Sequence, residues 1–251
     1  MSFVAVVPAR YASTRFPGKP LIDLDGKAMV VRVAEQAALS GAREVVVATD
    51  DDRIRDVCIA AAVRVVMTRS DHATGTDRLS EVATLLQLAD DDVVVNVQGD
   101  EPEIPPTAID RVADVLRADS EAAVATLCHA IHDVADARNP NVVKCVIGED
   151  GRALYFSRAP IPFARDAWQH GEVADLPAGL PLYRHIGLYA YRASFLRAFP
   201  NLSVPTIERF ESLEQLRALA HGYRIAVAIV KEPLPPGIDT PQDYARLLAS
   251  R

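Results

Sequence analysis

Four short apolar runs limit the architectures open to this chain. Phe3–Val7, Val45–Thr49, Val63–Met67 and Val93–Val97 are mainly apolar without alternation, Arg64 and Asn96 being the internal interruptions, as expected of strands covered on both faces. Helical patterns separate them, over Met29–Leu39, Arg53–Ala61 and Leu79–Leu88. Strand–helix–strand repetition at this spacing predicts a mostly parallel sheet with right-handed crossovers. A further helix is expected over Pro105–Leu116, with prolines at its start. Ala122–Ile131 reads as a strand, and Val142–Ile147 and Arg152–Phe156 as a hairpin turning on Glu149-Asp150-Gly151. Ser157–Leu182 holds prolines 160, 162, 177 and 181 and reads as an irregular surface loop. Tyr183–Arg192 is a Tyr-rich strand, Glu211–His221 an amphipathic helix stopped by Gly222, and Arg224–Val230 a strand. Thr240-Pro241 opens the last helix, Thr as cap and Pro in the first position. A chain of 251 residues can bury a full core. The expectation is a single domain over 1–251, with about 122–200 forming a β-rich, insertion-like subregion.

The chemistry starts where the first strand ends. Val7–Leu21 carries Arg10, Arg15 and Lys19 and no acid, in a chain of formal net charge −7. Clustered cations with a glycine and rigid prolines, leaving a buried strand, suit a polyphosphate. The acidic balance argues against nucleic acid as a partner but not against a nucleotide, which needs only a local pocket. Asn96–Pro102 closes the fourth strand, and in open parallel sheets ligands bind beyond the carboxyl ends of the strands. Gly99 there permits close backbone approach. Asp100 would point into the cleft that the basic loop lines, and a carboxylate beside a polyphosphate calls for a cation between them, for which Mg²⁺ is suited. Asp100 as a turn residue without metal stays open. Asp239, before the last helix, reads either as a second metal carboxylate or as an acid complementing the helix dipole.

Two further segments carry candidates. His72–Arg78 precedes a helix. Thr74 and Gly75 suit a loop over a base or ribose, Arg78 would reach phosphate, and Thr76 or Asp77 would cap the helix. Along Tyr183–Arg192, alternation puts His185, Gly187, Tyr189 and Tyr191 on one strand face, to line either a sugar pocket or a half-buried surface. His129 and His132, beside Cys128, point to opposite strand faces and make a poor zinc site. The glycine spacing excludes the dinucleotide fingerprint, the P-loop and the nucleophile elbow. Cys58, Cys128 and Cys145 lie far apart and read as packed, reduced thiols, which fits a cytoplasmic protein. The first residues lack the positive region of a signal peptide, and no apolar run nears the ~20 residues of a membrane span.

The motifs occur together in one known family. Arg10, Arg15-Phe16-Pro17-Gly18-Lys19-Pro20-Leu21, Gly75-Thr76-Asp77-Arg78 and Asn96–Pro102 are followed by Tyr155-Phe156-Ser157-Arg158 and His185–Tyr191. Glu211–Leu219 and Gly237-Ile238-Asp239-Thr240-Pro241 complete the order. Over essentially its whole length the chain resembles the 3-deoxy-manno-octulosonate (Kdo) cytidylyltransferases. The resemblance implies an α/β, Rossmann-like nucleotidyltransferase fold with helices on both sheet faces and a smaller β-rich dimerisation and sugar-binding part. It implies transfer of CMP from CTP to Kdo for lipopolysaccharide synthesis, by a cytoplasmic homodimer. Asp100 and Asp239 would hold Mg²⁺, with Lys19 and Arg10 as the other catalytic groups. Pro8, Ala9, Arg10, Arg15, Lys19, Thr74, Gly75 and Arg78 would bind the nucleotide. Gln98, Arg158, His185, Tyr189 and Glu211 would bind Kdo. The nearest alternative is a CMP-sialic acid synthetase or another sugar-acid cytidylyltransferase.

Overall fold

The computed structural model describes residues 2–12, 16–168 and 173–249. In chain order it begins with β1 (Phe3–Ala9), the two-residue strands β2 (Asp23–Leu24) and β3 (Lys27–Ala28), α1 (Met29–Ala38), β4 (Ala42–Thr49) and α2 (Asp52–Ala60). There follow β5 (Val65–Met67), α3 (Gly75–Leu85), β6 (Val93–Asn96), α4 (Pro106–Ala118) and β7 (Ala122–Ala130). Next come α5 (Val134–Arg138), β8 (Lys144–Ile147), β9 (Ala153–Ser157), β10 (Tyr183–Arg192) and α6 (Ala193–Ala198). The chain ends with α7 (Thr206–Glu211), α8 (Gln215–Ala220), β11 (Arg224–Val230) and α9 (Pro241–Ala249). It divides into two compact units, one of Met1–Asp114, Leu188–Pro200 and Leu234–Arg251, the other of Val115–Gly187 and Asn201–Pro233.

In the first unit, β1 pairs in parallel with both β4 and β6, and β5 adds to β4 in parallel. Residues 189–192 of β10 run antiparallel on β6. Val4–Val7 of β1 and Val94–Val95 of β6 are wholly buried, which is why these strands read as continuous apolar runs. Each such side chain withdrawn from water stabilises the unit by roughly 1.5–3 kcal/mol before entropy is counted. Helix α1 turns Met29, Val30, Val33, Ala34 and Ala37 to the core, the three- and four-residue spacing of one helical face. β5 departs from expectation. It is a three-residue edge strand with Met67 exposed, so only one side of it is paired. Because β1, β4 and β6 are parallel, Arg10, Asp50 and Gln98–Asp100 all leave the sheet at its carboxyl end.

Helix α3 starts at Gly75, earlier than the Leu79 expected. Thr74 is its N-cap, accepting from Asp77 N, while the Asp77 carboxylate accepts from Thr74 N. This reciprocal box satisfies two otherwise orphaned donors and stabilises the helix by about 1 kcal/mol. Thr76 and Asp77 are thus inside the helix, not its cap.

In the second unit, β11 runs parallel to β7, and β8 and β9 form the expected antiparallel hairpin. Tyr183 and Arg184 of β10 pair with Cys145 and Lys144 of β8. The segment after β9 is irregular as expected, but it is not merely a surface loop. Trp168 is buried in it, against Ile131, Ala137, Val142, Val173 and Leu182, with its indole N–H on the Asp175 carbonyl at 2.8 Å. A large side chain with a satisfied polar tip gives the segment a small core of its own. The helix expected over Glu211–His221 is shorter, since α8 starts only at Gln215 and a separate helix, α7, ends at Glu211. Ser212, in the left-handed region at φ 50°, ends α7, and Glu211 closes that helix rather than opening the next.

Candidate active site

Lys19 follows the loop that leaves β1. Its ammonium donates to Asp100 Oδ2 at 2.7 Å and to Asp239 Oδ1 at 3.3 Å. Two carboxylates far apart in sequence therefore meet at one positive charge. The second of them is delivered by backbone contact, since Ile238 N donates to Asp100 O at 2.8 Å. Gly237 makes that approach possible, because a Cβ there would lie 3.3 Å from Asp100 O. Ile238 also anchors the segment in a small apolar cluster with Leu24 and Met29, flanked by Tyr244 and Leu247 of α9.

Gly99 has a different reason from the one expected. A Cβ at this position would sit 2.6 Å from the Pro8 carbonyl oxygen, so the neighbouring strand end requires the glycine. Pro8 and Ala9 form the end of β1. Next to Asp100, the Glu101 carboxyl is pushed up to about 8 by burial first and then by the charges of Asp100 and Asp239. Its Oε2 is buried without a hydrogen-bond partner. With two aspartates against one ammonium, the site remains electronegative despite Lys19.

Arg10 does not project freely. Its Nη2 donates to the carbonyls of His72 and Thr74 at 2.8 and 3.0 Å, tying the loop after β1 to the start of α3. Gly75 has open space where a Cβ would be. Arg78, in the first turn of α3, is fully buried. It donates to Thr68 Oγ1 and lies 3.2 Å from Asp50 Oδ1, while its Nε and Nη2 lack hydrogen-bond partners. Burial, offset in part by Asp50, and the nearby Arg10 lower its pKa. The structure thus places Arg78 beneath the surface instead of on it. Arg15 falls outside the described residues. Gln98 lies two residues after the end of β6. Tyr189 on β10 pairs with Asn96, and its ring stacks on Tyr191 at 5.7 Å, as the shared strand face required.

The second unit holds its own polar cluster. Glu211 accepts from Ser157 Oγ at 2.6 Å and from Arg158 N at 2.9 Å. The Arg158 guanidinium donates to the carbonyls of Glu211, Ser212 and Pro140. It therefore caps the carboxyl end of α7, where carbonyls lack helical partners. Lys144 is wholly buried and donates to Asn139 O and Val142 O. His185 shares a hydrogen bond with Thr126 Oγ1 at 3.1 Å and meets the Phe156 ring edge-on at 5.0 Å. Burial pushes its imidazole down to about 3, so it is neutral at physiological pH.

The sequence profile of the cytidylyltransferase family matches residues 4–225. A solved CMP:2-keto-3-deoxy-manno-octonic acid synthetase, complexed with CTP, is 41% identical over 100% of this chain and 98% of its own, with a TM-score of 0.89. The chain belongs to the cytidylyltransferase family. A cytidylyltransferase from Leptospira borgpetersenii serovar Hardjo-bovis (strain JB197), 18% identical, covers 98% of this chain and 85% of its own at a TM-score of 0.61, which shows the shared fold. The α/β nucleotidyltransferase architecture and the Kdo-cytidylyltransferase likeness read from the motifs are both borne out.

For the cytidylyltransferase chemistry, the donor set fits a hard divalent cation. Two carboxylates converge on one positive point, and their field helps hold Glu101 protonated. Among the described residues no trio of His, Cys, Asp and Glu forms a closed metal cage, and Mg²⁺ ordinarily needs only one or two carboxylates plus phosphate oxygens. Sequence reasoning missed Glu101, Asp50, Ser157 and Lys144. Glu101 and Ser157 were within reach, since each adjoins a chosen residue inside the same motif. Asp50 opens the run Asp50-Asp51-Asp52 before α2, acids that by pattern complement a helix start, and nothing in the sequence marks Lys144 as buried. Among the described residues no helix is long and apolar enough to cross a membrane.

Proposed function

We propose that this cytidylyltransferase transfers CMP from CTP to the anomeric hydroxyl of 3-deoxy-D-manno-octulosonate, giving CMP-Kdo and pyrophosphate. The observation that carries the reading is Lys19 held between Asp100 and Asp239 at the carboxyl end of a parallel sheet. A phosphate entering there competes for the Lys19 ammonium, which is shared and only loosely held at Asp239. Lys19 then neutralises charge on the triphosphate as pyrophosphate departs. Asp100 and Asp239, relieved of that ammonium, would hold Mg²⁺. When bound, the ion supplies positive charge to the α-phosphate and favours ionisation of the attacking hydroxyl. Arg10 fixes the 72–74 backbone around the nucleotide. No protein nucleophile is required, so no covalent intermediate forms.

Sugar-acid recognition is assigned by resemblance to Gln98, Arg158, His185, Tyr189 and Glu211. A neutral imidazole and a carboxylate accept from sugar hydroxyls, while the guanidinium answers the acid. The same likeness suggests a homodimer acting in the bacterial cytoplasm to supply lipopolysaccharide synthesis. The test is a panel of CTP, UTP and ATP against Kdo and sialic acid, with Mg²⁺, read as pyrophosphate release. Release is expected with CTP and Kdo together. Release only with sialic acid would replace the substrate, and turnover unchanged after chelation with EDTA would remove the metal.

A further inference from the structure

The loop carrying the cations is fastened at its base by an aromatic ring. Gly18 N donates to Tyr11 O at 3.1 Å. Gly18 adopts φ +72°, and a Cβ there would lie 3.3 Å from the Tyr11 hydroxyl and 3.4 Å from two ring carbons. The Tyr11 ring therefore packs on glycine backbone. Over the same ring, 3.3 Å from its centroid, lies the guanidinium carbon of Arg53, a cation–π contact. Arg53 is itself held flat. Its Nε and Nη2 bind the two oxygens of Asp51 at 2.9 and 2.6 Å, and Asp51 is the N-cap of α2, accepting also from Arg53 N. A continuous chain of contacts thus runs from the start of α2 through Tyr11 to Gly18, and the next residue is Lys19.

We infer that Arg53 is a positioning residue for nucleotide use, acting through Tyr11 on Gly18 and so on Lys19. This rests on reading that loop as the CTP site. Arg53 is more than half exposed, so if it only assisted the α2 cap its loss would leave the nucleotide untouched. Through the ring, its loss frees the base of the loop and misplaces the Lys19 ammonium.

The test is CTP binding by isothermal titration, with steady-state kinetics beside it, for the wild type, Arg53→Ala, Tyr11→Ala and the double variant. Each single variant raises the Kd for CTP by about tenfold, short of the ~10²-fold that a 1 Å misplacement can cost. The double variant adds nothing further, since both break one contact chain. KM for the sugar acid stays within about twofold and the melting temperature holds. Arg53→Lys and Tyr11→Phe, which keep cation and ring, retain most of the affinity. The inference is overturned if Arg53→Ala binds CTP like the wild type, if the double variant is fully additive, or if melting temperature and sugar-acid KM fall and rise together with the CTP loss. A wild-type chain that binds CTP but shows no Kdo turnover overturns the proposed reaction alone. One that binds no CTP overturns both.

Discussion

The two units handle buried charge in opposite ways. In the first, Lys19 is divided between two aspartates, one of them with nearly half its side chain exposed, and Glu101 is left with an orphaned oxygen. In the second, Arg217 and Glu208 form a buried bidentate pair at 2.8 and 2.5 Å, and Lys144 is spent on two carbonyls. Unfinished electrostatics invite a ligand, whereas saturated electrostatics hold a shape. The first arrangement should therefore govern rate and the second stability.

Asp100→Asn attacks that distinction hardest. Removing one of two converging carboxylates should lower turnover by ~10²–10³ without lowering the melting temperature. Wild-type turnover at ordinary Mg²⁺ would contradict the assignment of the aspartates. Glu208→Ala is the mirror experiment. It takes from Arg217 its buried bidentate partner, and a urea melt should show a loss of about 3–5 kcal/mol, while turnover per folded molecule persists. A loss below ~1 kcal/mol would mean that the pair behaves like a surface ion pair.

His185 sharpens the comparison through pH. Its folded pKa is held down near 3, against about 6.5 in an unfolded chain. Between those values the unfolded state takes up the proton, so the stabilisation is whole above about 6.5 and is lost as pH falls. The slope is bounded by ~1.4 kcal/mol per pH unit, and His185→Gln should flatten it. An identical acid melt for that variant would show that the imidazole titrates normally. Tyr244→Phe should have the smallest effect. It removes the bond from the Tyr244 hydroxyl to Asp23 O at 2.7 Å, worth at most about 1 kcal/mol, and loosens α9 behind Asp239. A raised Mg²⁺ requirement with little change in stability is the expected signature.

Much of the first unit was legible because its physics is local and periodic. Apolar runs covered on both faces announce parallel strands, and the carboxyl ends of such strands announce a site, so Lys19 and Asp100 followed. The second unit was less legible. Trp168 sits among prolines that read as a surface loop, and the end of α7 at Glu211 is capped by Arg158, a residue from another segment that no local pattern connects to it. Arg78 was misread for the same reason. Its position suggested a phosphate ligand, but a cation in the first turn of a helix is aimed by what lies beneath it, here Asp50 and Thr68.

The sequence determined the mostly parallel sheet of this protein, its basic loop and its family, because these are written in spacing and residue type. Only the folded chain decided that Lys19 meets partners 81 and 220 positions away, and that Arg53 grips the loop that carries it. Electrostatic and ring contacts act through space at a few ångströms, and sequence separation carries no measure of that distance.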